Sequence, residues 1–230
     1  MASLGVAALS ANFQSPLLDG FSSAELRVIL AAAKQRRYPA NSIITYQGTP
    51  ADHLFLVMRG CARLFFLTQE GKKILLLWLA PGEVFGGAAL VQTPTDYVVS
   101  TEAVKETHVL VWDRGTIRTL AGRFPRLLEN AISIASEYLT WYMATQVALT
   151  THDARRRLAR VLLSLAQAIG RPMKGGLEIG VSNEDLAYAS NLTPFTVSRL
   201  MTEWQRSGAL VKRRGKLVLR APERLHLQKL

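Results

Sequence analysis

Residues 182–206 read SNEDLAYASNLTPFTVSRLMTEWQR, and they carry two helix starts. Ser182 followed by Asp185 is a capping pair: the hydroxyl accepts an orphan amide while the carboxylate reaches back. Leu186 and Ala189 give the first helix a small apolar face. Asn191 falls where a tight turn needs a residue that tolerates the left-handed region. Thr193 predicts a second N-cap, and Pro194 suits the first helical position, where no amide partner is lost. In the second helix Val197, Leu200, Met201 and Trp204 form one apolar stripe. Phe195, Ser198, Arg199, Thr202 and Arg206 fall on the opposite side. An anchored stripe beneath a polar face suits a helix that enters the DNA major groove. It equally describes an ordinary amphipathic helix pair.

Working outward, the downstream residues favour DNA. Ala209, Leu210 and Val211 form one short apolar run, and Leu217, Val218 and Leu219 form another. Lys212, Arg213, Arg214, Gly215 and Lys216 join them. This predicts a β-hairpin whose tip offers cations to phosphate oxygens, although a solvated loop has the same composition. The strings TPFTVSRL (193–200) and EWQRSGALVKRRGKLVL (203–219) resemble the winged helix-turn-helix of the Crp/Fnr transcription regulators. The resemblance implies an α+β chain with an N-terminal double-stranded β-helix, or jelly roll. A long central dimerisation helix and a C-terminal winged helix-turn-helix would follow. The corresponding divisions are residues 1–122, 123–150 and 151–230. It also implies a homodimer on a palindromic double-stranded DNA site, RNA polymerase as a further partner, and a cytoplasmic location.

Charge is placed accordingly. The 230 residues carry +11, but residues 1–150 hold 13 Lys/Arg against 11 Asp/Glu, while residues 151–230 hold 15 against 6. A basic C-terminal third points to a polyanion at one end. The single cysteine, Cys61, leaves no disulfide within the chain and suits a reducing compartment. The N-terminal residues have no basic segment ahead of an apolar run, so a signal peptide is not expected. The apolar run at 74–80 stops at Pro81, too short to span a bilayer, and no membrane partner is expected.

Residues 21–34 predict a helix capped by Ser22 or Ser23, with Leu26, Ile29 and Leu30 on one face. From Arg37 to Val111, short β-rich runs alternate with Gly48, Gly60, Gly71 and Gly82 at the breaks. This predicts a sandwich or roll, and it is similar to the effector-binding roll of the same family. Residues 124–149 predict one long helix begun by Pro125. Leu128, Ile132, Ala135, Leu139, Tyr142, Gln146 and Leu149 follow a 3,4 spacing near that of a coiled-coil seam, or of a helix packed on its own domain. In the resembled family this helix pairs with its copy, in parallel. Residues 153–169 predict a further helix with Arg155, Arg156, Arg157 and Arg160 near its start, against the dipole. An acidic group, a phosphate or plain solvation would each offset that.

Arg199 is the first candidate for base reading, since its fork spans guanine O6 and N7; a phosphate contact or a salt bridge is the alternative. Ser198 matches the residue before this Arg in the Fnr branch. Ser182, Thr193, Thr196, Thr202, Lys212, Arg213 and Arg214 complete the expected DNA face. Pro194 and Phe195 depart from the family, which commonly carries a polar residue and then a Glu there. Phe195 cannot accept from cytosine N4; it could meet a thymine methyl or pack at the helix end. The half-site should therefore differ from the usual consensus.

The family's cyclic-nucleotide cassette, Gly-Glu followed by Arg-Ser or Arg-Thr, maps to Gly86-Gly87 and Tyr97-Val98, and no cation lies between Lys73 and Lys105. A buried phosphate without a cation is costly, so familiar cAMP control is not expected. One cysteine cannot hold an iron–sulfur cluster within the chain. The effector is unassigned and no cofactor is expected. His53, His108 and Cys61 are the residues a haem or redox sensor would use, without a diagnostic motif. The rival class is a metal-dependent roll enzyme, but His53, His108, His152 and His226 are dispersed and no His-x-His occurs. A DNA-bound architectural protein without a ligand is a third reading.

Overall fold

The run LFLVM at 54–58 has no polar face, so a strand there must be covered on both sides. The structure, a computed structural model, describes residues 13–71, 73–213 and 215–225. Its first helix is α1 (Ser23–Ala31), and eight strands follow: β1 (Lys34–Tyr38), β2 (Ile43–Thr45), β3 (His53–Arg59), β4 (Ala62–Leu67), β5 (Lys73–Leu79), β6 (Val84–Phe85), β7 (Ser100–Ala103) and β8 (Thr107–Asp113). They form two four-stranded sheets, ordered β1-β8-β3-β6 and β2-β7-β4-β5. Phe55, Val57, Val109 and Val111 pack with Ala62 and Leu79 of the second sheet. Leu54, Leu56, Leu110 and Trp112 alternate with them and pack against Ile29, Leu30, Ile117, Leu120, Leu127 and Ile134 of the helices. Trp112 Nε1 donates to the Ile29 carbonyl at 2.8 Å, which ties a buried indole to α1. The fold class is the expected α+β roll.

Two differences have physical causes. The first helix stops at Ala31, three residues before its expected end, because Lys34 already pairs with Val111 across β1 and β8. The sequence KQRRY has no strand alternation; pairing, not side-chain burial, makes it an edge strand. The capping box that opens α1 is Ser22 with Glu25. The glycines at the expected breaks all have positive φ. At Gly60 the demand is steric as well: a Cβ would lie 2.4 Å from the Glu106 carbonyl.

The remaining elements are α2 (Arg114–Arg123), α3 (Arg126–Thr151), α4 (Ala154–Ile169), β9 (Arg171–Met173), β10 (Gly176–Ile179), α5 (Asn183–Ser190), α6 (Pro194–Arg206), β11 (Leu210–Arg213) and β12 (Lys216–Leu219). The last four strands form one antiparallel sheet ordered β11-β12-β10-β9. The β9–β10 hairpin was not foreseen; Pro172, a residue disfavoured in central strands, sits here on the edge strand β9, where a missing amide is tolerated. The chain divides into two compact units, residues 13–71 with 77–140 and residues 73–76 with 141–225. Among the described residues no helix is long and apolar enough to cross a membrane.

Candidate nucleic-acid interface

The two helix starts are built as the sequence directs. Ser182 Oγ accepts from the Asp185 amide at 3.0 Å and donates to its carboxylate at 2.8 Å. Asn191 ends α5 at φ +50°, the left-handed turn that brings α6 back across it. Thr193 Oγ1 accepts from the Thr196 amide at 3.1 Å, and Pro194 occupies the first helical position. The two threonine hydroxyls also bond each other at 2.9 Å. Val197, Leu200, Met201 and Trp204 are buried, so α6 is locked by one face.

The other face is open. Pro194, Phe195, Ser198, Arg199, Thr202 and Arg206 are exposed, and Thr196 is half-buried. Phe195 is 79% exposed and does not pack at the helix end. An apolar ring held in solvent at the first turn favours contact with something outside the chain. Thr202 Oγ1 donates to the Ser198 carbonyl at 2.9 Å, and its oxygen can still accept. Arg199 is not free: Nη1 donates to Glu203 Oε1 at 2.7 Å, one turn on. The second Glu203 oxygen is paired with Arg155 of α4. Glu203 was not singled out in the sequence, although its i, i+4 spacing from Arg199 was there to be read; for Arg155 it is the acidic group that was one of the expected offsets.

The arginines at the start of α4 divide. Asp153 caps the helix by accepting from the Arg156 amide at 2.8 Å, which supplies the missing negative charge. Arg155 pairs with Glu203 and lies over the Trp204 ring, 5.8 Å from its centroid. Arg157 donates to the Ser190 carbonyl at 3.1 Å and the His152 carbonyl at 3.0 Å, so it closes the C-terminal end of α5. Arg160 donates to the Ala144 carbonyl at 3.2 Å. Three of the four are thus structural, and Arg156 stays exposed.

The hairpin is tighter than expected. Lys212 pairs with Leu217 and Arg213 with Lys216, so these cations lie on the strands and not in a loop. Only positions 214 and 215 remain for the turn, where Gly215 takes φ +67°. Arg214 itself lies outside the described residues, as does His226. Arg213 and Lys216 stand directly opposite each other, an unfavourable pair without a counter-charge. Lys216 Nζ finds one in Glu178 Oε1 at 2.9 Å, and that hydrogen bond holds the Glu178 carboxyl below the usual range. Lys212 and Arg213 keep exposed side chains for an anion.

A capped α5, a left-handed turn, an exposed α6 and a basic hairpin stand in that order. Residues 156–227 match the Crp-like helix-turn-helix domain, and residues 35–124 match the cyclic nucleotide-binding domain. The chain is 29% identical over 187 residues to the cyclic AMP receptor protein of Thermus thermophilus, covering 81% of this chain and 84% of that one. It is 24% identical over 204 residues to a CRP-like cAMP-activated global transcriptional regulator of Mycobacterium tuberculosis, covering 86% and 90%. The solved structure of FixK2 from Bradyrhizobium japonicum superposes with a TM-score of 0.74 at 24% identity, over 84% of this chain and 96% of that one.

This chain belongs to the Crp/Fnr superfamily.

Crp/Fnr proteins regulate transcription by binding DNA, and they function as dimers. The stretch that aligns by sequence with the family's cassette is built as follows. Gly86 has φ +77°, and a Cβ there would lie 2.4 Å from the His53 carbonyl. Gly87 starts a short 3-10 turn, Tyr97 is buried and Val98 is 74% exposed. The Tyr97 hydroxyl donates to the His53 carbonyl at 2.9 Å and accepts from its amide at 3.0 Å. Burial raises its pKa. Arg114, the cation of α2 nearest this turn in its bonding, donates to the carbonyls of Ala88, Ala89, Val91 and Gln92.

The candidate sensor residues do not converge. His53 pairs with Asp113 at one end of the β3–β8 ladder, and His108 pairs with Arg59 at the other. His108 Nε2 lies 3.1 Å from Glu106 Oε1. Among the described residues no three His, Cys, Asp or Glu side chains stand together as metal ligands. Cys61 is 1% exposed, and burial pushes its thiol up to about 12, overriding the nearby Lys105 and Arg63. The thiolate is the reactive form. At pH 8 the folded chain should therefore resist a maleimide that labels the unfolded chain within minutes. The sign for stability follows: the unfolded thiol ionises near 9 and the folded one near 12, so alkali between those values favours unfolding. Rapid labelling of folded protein, followed by mass spectrometry, would show Cys61 to be accessible after all.

Proposed function

We propose that this Crp/Fnr protein is a sequence-specific DNA-binding regulator that works as a homodimer on a palindromic site. The observation that carries it is α6: one face fully buried, the other an uninterrupted display of Phe195, Ser198, Arg199, Thr202 and Arg206. Arg199 reads a guanine, Phe195 meets an apolar base edge, and Thr193 and Thr196 sit at the helix start, where phosphate is favoured. Ser182, Lys212, Arg213 and Arg214 hold the backbone. The working division is a sensing roll (1–122), a dimerisation helix (123–150) carrying Leu128, Ile132, Ala135, Leu139, Tyr142, Gln146 and Leu149, and a DNA-binding domain (151–230). Familiar cAMP control does not apply, since Gly87, Tyr97 and Val98 replace the cassette's charged pair. One buried cysteine excludes an iron–sulfur cluster held within the chain. RNA polymerase is the further partner, in the cytoplasm.

Selection from a random duplex pool at fixed ionic strength tests this. The enriched sequence should be a two-fold palindrome with half-site centres about one helical turn apart, roughly 10–10.5 base pairs or a multiple. Its half-site should carry a guanine lost from the consensus of an Arg199→Ala protein, and a thymine lost with Phe195→Ala. A pool that emerges without enrichment would mean that binding is architectural only.

A further inference from the structure

The second unit has an open groove of about 590 Å3 between the end of α3 and one side of α4. Trp141 and His152 line it from α3 and the turn after it, and Arg156, Arg160, Ser164 and Gln167 line it from α4. Those four follow one another at helical spacing and form a single stripe. Arg155, which pairs with Glu203 of α6, points elsewhere: the stripe lies about 100–180° round the helix from it. Leu158, Leu162 and Leu165 are buried on the side opposite the stripe. The groove therefore opens away from α6 and from the duplex proposed for it. Its charge has no internal answer. From residue 138 to residue 177 the chain has one acid, Asp153, whose carboxylate is spent on capping α4. Among the described residues neither Arg156 nor Arg160 forms an ion pair. Like charges one turn apart repel. Arg160 is half-buried and gives one donor to the Ala144 carbonyl at 3.2 Å, which leaves the rest of its fork. Among the described residues the buried Nδ1 of His152 also lacks a hydrogen-bond partner, an orphan that a bound group or a water held by it would account for.

We propose that this groove binds a small aromatic anion, with its phosphate or carboxylate between Arg156 and Arg160 and its flat body against Trp141. Guanidinium forks match the geometry of both oxyanions, and an anion between them relieves their mutual repulsion. The indole offers apolar area and a face on which a ring stacks. A cavity of roughly 150 Å3 takes benzene, so one of about 590 Å3 has room for a ring and its oxyanion. Further along the stripe, the Ser164 hydroxyl and the Gln167 amide supply donors and acceptors for a polar edge of that ring. A neutral molecule would leave two cations unanswered, and a bare inorganic ion would leave Trp141 uncovered. The site does not rest on the DNA-regulator reading, since none of these residues belongs to the expected DNA face.

The test uses the full chain with 8-anilinonaphthalene-1-sulfonate, whose sulfonate stands in for the oxyanion, and with N-phenyl-1-naphthylamine, the same rings without the charge. Both brighten in apolar surroundings. Two changes reach the groove by different routes: Arg156→Gln with Arg160→Gln removes its cations, and Ser164→Glu sets a carboxylate one turn from Arg160. Arg118→Gln, on α2, is the control for a cation lost elsewhere. Circular dichroism checks folding, and either groove variant decides the question if it folds. The expected result is a saturable site for the anionic probe, at least ten-fold tighter than for the neutral one. The groove variants should weaken it at least ten-fold and Arg118→Gln should leave it unchanged. Phenyl phosphate and benzoate then compete with the probe: displacement by either supports the site, and the stronger competitor names the oxyanion. Displacement by neither, equal binding of the neutral probe, or indifference to the folded groove variants would overturn it. So would loss of the probe in step with saturation by duplex DNA, which would give the two arginines to the DNA backbone. A random duplex pool that emerges without enrichment would sink the regulator and leave the groove standing.

Discussion

Replacing Ile132 and Leu139 together by Asp is expected to yield a folded monomer whose affinity for a palindromic site has fallen about a thousand-fold. The helix α3 has two apolar sides. Leu127 and Ile134 are buried on the roll, with Ala131 and Tyr138 beside them. On the other side Ile132 is 66% exposed, Leu139 59%, Tyr142 46%, Met143 60% and Val147 60%. Twenty-six residues of helix with a second apolar stripe call for a second partner. In the homodimer proposed above, a parallel copy of the same helix would supply it with a/d-like spacing. Because Ile132 and Leu139 contribute little to the monomer's own core, Asp there should cost only the helix propensity, about half a kcal/mol each. The paired state would instead bury four carboxylates against one another, which is prohibitive without counter-charge. The monomer keeps one half-site, and so loses one recognition helix and its phosphate contacts. Sedimentation of the double variant, with circular dichroism as the control for folding, separates the outcomes. A variant that remains a dimer would place the subunit contact elsewhere on the surface.

The expected seam and the exposed stripe agree at Leu128, Ile132, Ala135, Leu139, Tyr142 and Gln146, whereas Leu149 is half-buried. Met143 and Val147 are exposed as well, because a helix of 3.6 residues per turn drifts away from a strict 3.5 repeat. The same contrast runs through the chain. Local rules made the caps at Ser22, Ser182 and Thr193 and the left-handed turn at Asn191 legible, since each is settled within four residues. Strand pairing was not legible in that way. The edge strand KQRRY and the β9–β10 hairpin exist because distant strands supply their hydrogen bonds. The exposed face of α6 was legible as a face, by its period; what holds each member was not. That Arg155, Arg157 and Arg160 brace α4 against carbonyls and Glu203 depends on where α5, α6 and α3 come to lie, which spacing alone does not fix.

Arg199→Ala is expected to cost about 1–3 kcal/mol per half-site, so about 2–6 kcal/mol on a palindrome, and nearly all of it as lost discrimination. In the unbound chain Arg199 is held by Glu203 at 2.7 Å. That contact does not compete seriously with a base. An exposed i, i+4 ion pair is worth about 0.3–0.5 kcal/mol, well below a two-bonded guanine. On the proposed reading its use would be orientation: Glu203 is itself fixed by Arg155, whose side chain is only 19% exposed, so the fork would be aimed before DNA arrives. Arg199→Lys should lose almost as much as Arg199→Ala, because an ammonium keeps the charge but not the fork. Glu203→Gln should act in the opposite sense on affinity. Removing an anion beside the groove tightens binding to any duplex and steepens the salt dependence by about one phosphate's worth per chain. Discrimination should nevertheless fall, because Arg199 is no longer aimed. The cycle decides between aiming and simple charge. If Glu203 works through Arg199, then Glu203→Gln leaves discrimination unchanged in an Arg199→Ala background while still raising affinity for random DNA. Equal losses of discrimination from Glu203→Gln in both backgrounds would mean that Glu203 does not act through Arg199, and full discrimination in Arg199→Ala would remove that residue from base reading altogether.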